Sequence, residues 1–221
     1  MLSKLWKTIF CKFCIKKNNK LAKSYYTKPI SKIDEYNYVD TIGKGAYAKV
    51  KLYYNNNYKY CAIKISNKIN ICSKEFDILK QLHCNSIVKP SDAWIYNNVH
   101  YMVMPYYHEG DLFDFIQNVR FTENDSKVIF KKLIPSIMYC HDIDLVHGDI
   151  KPENYLISND EELVLTDFGM AFALDENELQ DPHVKWYYPN KNIDSNVFKN
   201  YISHICGTPK YCAPEVFSDY I

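Results

Sequence analysis

"VHGDIKPEN", residues 146–154, is the stretch on which the reading of this chain turns. Asp149 and Asn154, five apart on a loop, suit a general base and an oxygen ligand for a hard cation. Lys151 between them suits the neutralisation of charge on a transferring phosphoryl group. A second hard ligand, Asp167, follows in "TDFGMA" (166–171), at the end of an apolar run. Each of these residues alone reads equally well as an ordinary turn residue. In this order and at this spacing they point to phosphoryl transfer.

Working towards the N-terminus, "YCAIKI" (60–65) reads as a strand that puts Ala62 and Lys64 on one face and Cys61, Ile63 and Ile65 on the other. A helix is expected near 72–83. Within it Glu75, Ile78, Leu79 and Leu82 recur at i, i+3, i+4 and i+7, which turns the Glu75 carboxylate inward. A buried carboxylate left unpaired costs several kcal/mol, so Glu75 needs a cation, and Lys64 is the natural one. Upstream, "TIGKGAYAKVK" (41–51) places Gly43 and Gly45 between two strand-like runs, where backbone N–H groups approach phosphate closely. Ala48 stands where a dinucleotide fingerprint would have its third glycine, and no helix follows, so that kind of site is not expected.

The runs "YVDTIG", "AKVKLYY", "YCAIKI" and "VHYMVM" read as an antiparallel meander with the Glu75 helix inserted. Beyond about residue 110 the pattern turns helical. The clearest helix covers roughly 124–141, with Phe130, Leu133, Ile134, Ile137 and Met138 as its expected core stripe and Pro135 as an expected kink. "YLI" and "LVLT" follow as short strands. A β-rich part followed by a helical part is an α+β pattern.

The bulk numbers are those of an ordinary globular chain, with 27 basic and 26 acidic residues among 221 and 47% apolar residues. The distribution is uneven, because residues 1–32 hold nine of the lysines and none of the acids. In this basic arm Leu2, Leu5, Trp6, Ile9, Phe10 and Phe13 lie on one helical face. The residues leave open a helix docked on the body or an interfacial membrane helix, the latter with Cys11 or Cys14 as acylation sites. Arg120 is the single arginine, so no arginine cluster receives a phosphate, and the arm is not expected to bind nucleic acid. The eight cysteines are scattered and read as free thiols, with one lone C-x-x-C at Cys11 and Cys14 as a weaker metal candidate. No apolar run reaches membrane-spanning length, and lysines interrupt the apolar start too often for a signal peptide. The expected location is intracellular and cytoplasmic, with attachment to a membrane surface as an alternative.

Taken together these motifs resemble the eukaryotic-type protein kinases. "GKGAYAKV" is similar to their glycine-rich loop, "CAIK" to the motif of the phosphate-gripping lysine, "HGDIKPEN" to the catalytic loop, "DFG" to the metal motif and "GTPKYCAPE" (207–215) to the end of the activation segment. The resemblance covers residues 36–221 and implies a bilobal α+β fold. It divides the chain into the basic arm (1–35), a β-rich N-lobe (36–104), a hinge (105–110) and a helical C-lobe with a long activation segment (111–221). It also implies ATP and Mg²⁺ as cofactors and a protein Ser/Thr hydroxyl as acceptor.

Carried over by position, Lys64 held by Glu75 would grip the α- and β-phosphates, and Ile42, Gly43 and Gly45 would belong to the loop above them. Val50, Ala62 and Leu156 would sandwich adenine, with Met104 as gatekeeper, Pro105 and Tyr107 as hinge contacts and Asp111 at the ribose. Asp149 would orient the substrate hydroxyl and accept its proton, Lys151 would meet the γ-phosphate, and Asn154 and Asp167 would hold Mg²⁺. Thr208 and Glu215 would belong to the substrate-facing end of the activation segment. Lys151 together with Thr208 resembles the Ser/Thr branch.

Three departures from the family pattern stand out. Gly148 replaces the arginine beside the catalytic aspartate, so activity is expected not to depend on phosphorylation of the activation segment. The span from Asp167 to Glu215 carries an insertion. After Glu215 only "VFSDYI" remains where the family has further helices, so the helical lobe is expected to be incomplete. The alternative function is a truncated, catalytically inactive kinase-like binding module.

Overall fold

The computed structural model describes residues 32–55, 57, 59–173 and 207–213. The basic arm up to residue 31, the long insertion (174–200) and Glu215 lie outside the described residues.

Five strands form one antiparallel sheet: β1 (Tyr36–Lys44), β2 (Lys49–Asn55), β3 (Tyr60–Ser66), β4 (Asp92–Tyr96) and β5 (Val99–Pro105), in the order β1-β2-β3-β5-β4. The sequence reading had four of them. The missed strand, β4, is joined to β5 by Asn97 and Asn98 at φ 47° and 60°. Positive φ at both central residues is type I′ geometry, the tight hairpin turn that asparagine tolerates. That Asn-Asn pair was the available signal.

The sheet has two unlike faces. On the outer face Tyr53, Cys61, Ile63 and Val103 form a cluster under Ile33, Tyr36, Ile65, Trp94 and Tyr101. Trp94 stacks on Tyr101 with ring centroids 5.3 Å apart and on Tyr36 at 6.0 Å. On the inner face Ala62 lies opposite Met104 and Lys64 opposite Met102, as the alternation along β3 requires.

Helix α1 (Ile69–Gln81) buries Cys72, Glu75 and Leu79 against this inner side. The main core continues from Leu79 and Met102 through Ile87 and Val88 to Ile157, Leu163, Leu165 and Phe168, so the β-rich and helical parts share it. A parallel bridge ties them: the Val88 N–H donates to the Leu165 carbonyl (2.9 Å) and the Leu165 N–H to Ser86 (2.9 Å).

The helical part holds α2 (Leu112–Gln117) and α3 (Glu123–Asp142), then the short strands β6 (Leu145–Val146), β7 (Tyr155–Ile157), β8 (Leu163–Leu165) and β9 (Phe172–Ala173). Asp111 caps α2 by accepting from the Asp114 N–H. Thr122 and Asp125 close a capping box on α3, which satisfies orphan donors of its first turn.

The expected stripe on α3 needs correction. Its buried residues are Ile129, Ser136 and Cys140, with Leu133 packed beside them, while Phe130 is 61% and Met138 57% exposed. The reading had followed side-chain size. The inward face instead carries a serine whose hydroxyl lies 3.2 Å from the Tyr155 hydroxyl and donates to the Leu133 carbonyl at 2.8 Å. A buried hydroxyl with partners is tolerated in a core, so a polar residue sits on the core face. The helix runs unbroken through Pro135.

Candidate active site

Two clusters of polar side chains carry the candidate chemistry. The first centres on Lys64 at the middle of β3. Its ammonium lies 2.8 and 2.7 Å from the two carboxylate oxygens of Glu75 on α1 and 2.7 Å from Oδ1 of Asp167 in the loop after β8. Glu75 is 1% exposed. Burial alone raises its pKa, and Lys64 together with the Phe168 N–H works against that rise. For Lys64 burial disfavours the charge, but Glu75 and Asp167 outweigh it and the net shift is upward, so the ammonium persists. Burial also pushes Asp167 up, and Lys64 more than offsets it, leaving the Asp167 carboxyl below its ordinary value. The Glu75–Lys64 pairing expected from the helical period is therefore present.

Asp167 reaches this position through a left-handed backbone, φ 64° and ψ 65°, in which the next residue turns inward. Phe168 is buried and packs edge-on to His147 with ring centroids 4.6 Å apart. The His147 Nδ1 accepts from the Asp149 N–H (3.2 Å), and this assigns Nε2 as the donor to the Thr166 carbonyl (3.0 Å). His147 thus ties the 146–154 stretch to the Asp167 loop, a role the sequence reading did not give it.

The second cluster surrounds Asp149. Oδ1 accepts from both the N–H and the hydroxyl of Thr208, each at 2.8 Å. Oδ2 accepts from Lys151 at 2.6 Å and from the Asn154 amide at 3.2 Å. Lys151 also donates to the Thr208 hydroxyl at 2.7 Å. Burial raises the Asp149 pKa, but the Lys151, Thr208 and Asn154 hydrogen bonds prevail and hold the carboxyl below its ordinary value. Residues 149, 151, 154 and 208 are therefore gathered as the sequence reading expected.

The backbone makes this approach feasible. Gly148 has φ +82°, and a Cβ there would stand 2.8 Å from the Met170 carbonyl oxygen. Gly207 has φ +112°, and its Cβ would meet the Gly148 carbonyl oxygen at 3.0 Å. Both glycines fill left-handed positions that side chains rarely adopt. Gly148, first seen as a missing arginine, is thus also a backbone requirement.

Above the clusters, Gly43 pairs with Val50 across the β1–β2 hairpin, and Gly45 closes its tip by donating to the Ala48 carbonyl at 2.8 Å. Ile42 on β1 is exposed, while Ala62 and Met104 are buried neighbours. Pro105 ends β5, and the Tyr107 carbonyl accepts from the Gly110 N–H at 3.2 Å. Leu156 bridges to Asp111 on the floor side.

Among the described residues no group of three His, Cys, Asp or Glu could hold a metal alone. Asn154 and Asp167 fit a different pattern. Asn154 spends its amide N–H groups on Asp149, which leaves its carbonyl oxygen as a hard ligand, and the Asp167 side chain is half exposed. One carboxylate and one amide oxygen suit Mg²⁺, which keeps waters and takes phosphate oxygens for its other positions.

Comparison with known proteins agrees with this geometry. The protein kinase domain model matches residues 36–220. The chain is 30% identical over 207 residues to the probable serine/threonine-protein kinase MARK-A of Dictyostelium discoideum, covering 88% of this chain and 17% of that protein. It is 33% identical over 200 residues to the serine/threonine-protein kinase cds1 of Schizosaccharomyces pombe, covering 84% and 39%. It is 31% identical over 202 residues to the SNF1-related protein kinase catalytic subunit alpha KIN12 of Arabidopsis thaliana, covering 86% and 36%. The chain thus spans less than half the length of each of these relatives. With the family match running across both polar clusters and the sheet that carries the first, this chain belongs to the protein kinase family.

Proposed function

We propose that the protein is a serine/threonine kinase that transfers the γ-phosphate of ATP to a protein hydroxyl. The observation that carries this reading is the Asp149 carboxylate, ionised and ringed by Lys151, Asn154 and Thr208, beside the Lys64–Glu75–Asp167 cluster. Lys64, fixed by Glu75, grips the α- and β-phosphates. The glycine loop from Ile42 to Val50 covers them, and Ala62, Met104 and Leu156 enclose the base beside the Pro105–Tyr107 hinge and Asp111. Asn154 and Asp167 would hold Mg²⁺, which supplies charge neutralisation between the phosphates when bound.

Asp149 has four acceptor positions, and all four are taken in the free protein. An incoming serine or threonine hydroxyl displaces one of these donors, is oriented by the carboxylate and passes its proton there as its oxygen bonds to the γ-phosphorus and the bond from that phosphorus to the β–γ bridging oxygen breaks, releasing ADP. Lys151 neutralises the charge that develops on the transferring group.

The same reading extends to regulation. The Thr208 hydroxyl is engaged by Asp149 and Lys151, and no arginine stands at 148 to receive a phosphate, so the activation segment works unphosphorylated. Cys61, Cys72, Cys84 and Cys140 are free thiols, which suits a reducing intracellular compartment. The basic arm, residues 1–32, is proposed to contact an anionic membrane surface or a partner, and its deletion with localisation as readout tests that.

The test of the activity is transfer of labelled γ-phosphate from Mg·ATP to a generic Ser/Thr substrate, with the protein beside its Asp149→Asn variant. Label from the parent alone is the expected result. No label from a folded parent would overturn the kinase reading and leave a nucleotide-binding module.

A further inference from the structure

Ser66 ends β3 two residues after Lys64 and is 4% exposed. Its hydroxyl donates to the Tyr47 carbonyl at the tip of the glycine loop. The same oxygen accepts from the N–H of Lys68, the N-cap residue of α1, at 3.0 Å. A serine hydroxyl has one proton to give and two lone pairs. Here the proton goes to the loop and the oxygen serves the helix.

Two further features make this junction matter. Helix α1 begins without a side-chain cap and without an acidic residue in its first turn, so its start is held from outside. The loop tip is a four-residue turn closed on itself by Gly45 and Ala48, and Tyr47, half exposed, reaches the body through its carbonyl.

We propose that Ser66 is a positioning residue that couples the glycine loop to helix α1, so that closing the loop on nucleotide phosphates also sets the helix carrying Glu75. The coupling rests on the reading of Lys64 and the loop as the ATP site. It is reciprocal: whatever fixes α1 also lowers the cost of ordering the loop. Removing the hydroxyl frees the Tyr47 carbonyl and the Lys68 N–H together, whereas a residue that only fills space would release neither.

The test compares the parent with Ser66→Ala and Ser66→Thr, by amide hydrogen exchange in the free protein and by kinetics with Mg·ATP. Ser66→Ala is expected to speed exchange in both segments, 43–49 and 68–75. It is also expected to raise the KM for Mg·ATP about fivefold with kcat within about twofold, the scale of one hydrogen bond. Ser66→Thr, which keeps the hydroxyl, restores both. Exchange that quickens in only one segment, or in neither, overturns the coupling, and so does failure of threonine to rescue. Should alanine unfold the protein, Ser66→Cys, near in volume and a weak donor, makes the same comparison. A parent that transfers no phosphate would bring down the active-site reading, while the exchange data would still decide the coupling.

Discussion

The Lys64 cluster and the Asp149 cluster are held in different ways. Around Lys64, a strand, a helix and a loop each contribute one charged side chain, and the three meet as complementary charges. Around Asp149, two of its three partners, Lys151 and Asn154, follow within five residues of chain, and the third, Thr208, arrives from far along the sequence through hydrogen bonds to the carboxylate. The first arrangement depends on charge and burial. The second depends on backbone shape, because left-handed glycines at 148 and 207 let the two segments touch. Breaking the first should therefore cost stability and nucleotide affinity, and disturbing the second should cost catalysis first.

The largest effect is expected at Glu75. Glu75→Leu leaves the partly buried Lys64 with only the half-exposed Asp167, and should destabilise the fold by about 3 kcal/mol, read from a denaturation midpoint. A loss below about 1 kcal/mol would mean that Asp167 alone suffices for Lys64. Next comes Gly148→Ala, where a left-handed backbone and the Met170 carbonyl both resist a Cβ, with an expected cost of about 1–3 kcal/mol. Gly45→Ala is the control, since its Cβ would meet nothing closer than 3.7 Å. Equal melting temperatures for the two variants would remove the backbone from the account.

Thr208→Val keeps the size and the N–H contact but loses the hydroxyl, and should lower kcat about tenfold with unchanged KM for ATP, while Thr208→Ser stays near the parent. A loss of nucleotide affinity instead would blur the distinction between the clusters. The smallest effect concerns His147. Burial pushes its imidazole below the free value of 6.5, so the folded state resists the proton that the unfolded chain accepts. Its contribution to stability is full above pH 6.5 and is lost as pH falls below that towards the folded value. His147→Gln should flatten the decline in unfolding free energy between pH 6.5 and 5. It should not abolish that decline, because His100 and His141 are also shifted down by burial.

Much of the first cluster was legible in the sequence, since a helical period and a strand alternation are enough to aim Glu75 and Lys64 at each other. The gathering of Asp149, Lys151 and Asn154 was legible from spacing, and Thr208 from resemblance. What escaped was set by backbone and by polar groups in apolar company. The left-handed turn at Gly148 has no period to betray it and was first seen as the absence of an arginine. The inward face of α3 carries Ser136 and Cys140, so a search for large apolar residues chose Phe130 and Met138 instead. Ser66 belongs to no motif, and its importance lies in a carbonyl nineteen residues away that only the folded hairpin brings near.

The most direct test of the division between the clusters is Mg·ATP affinity and phosphoryl transfer measured together on Asp149→Asn. This substitution keeps shape and leaves Lys64, Glu75 and Asp167 untouched. The account predicts that nucleotide affinity stays within about twofold of the parent while transfer falls by about a thousandfold or more. Transfer that survives, or affinity that collapses along with it, would contradict the account.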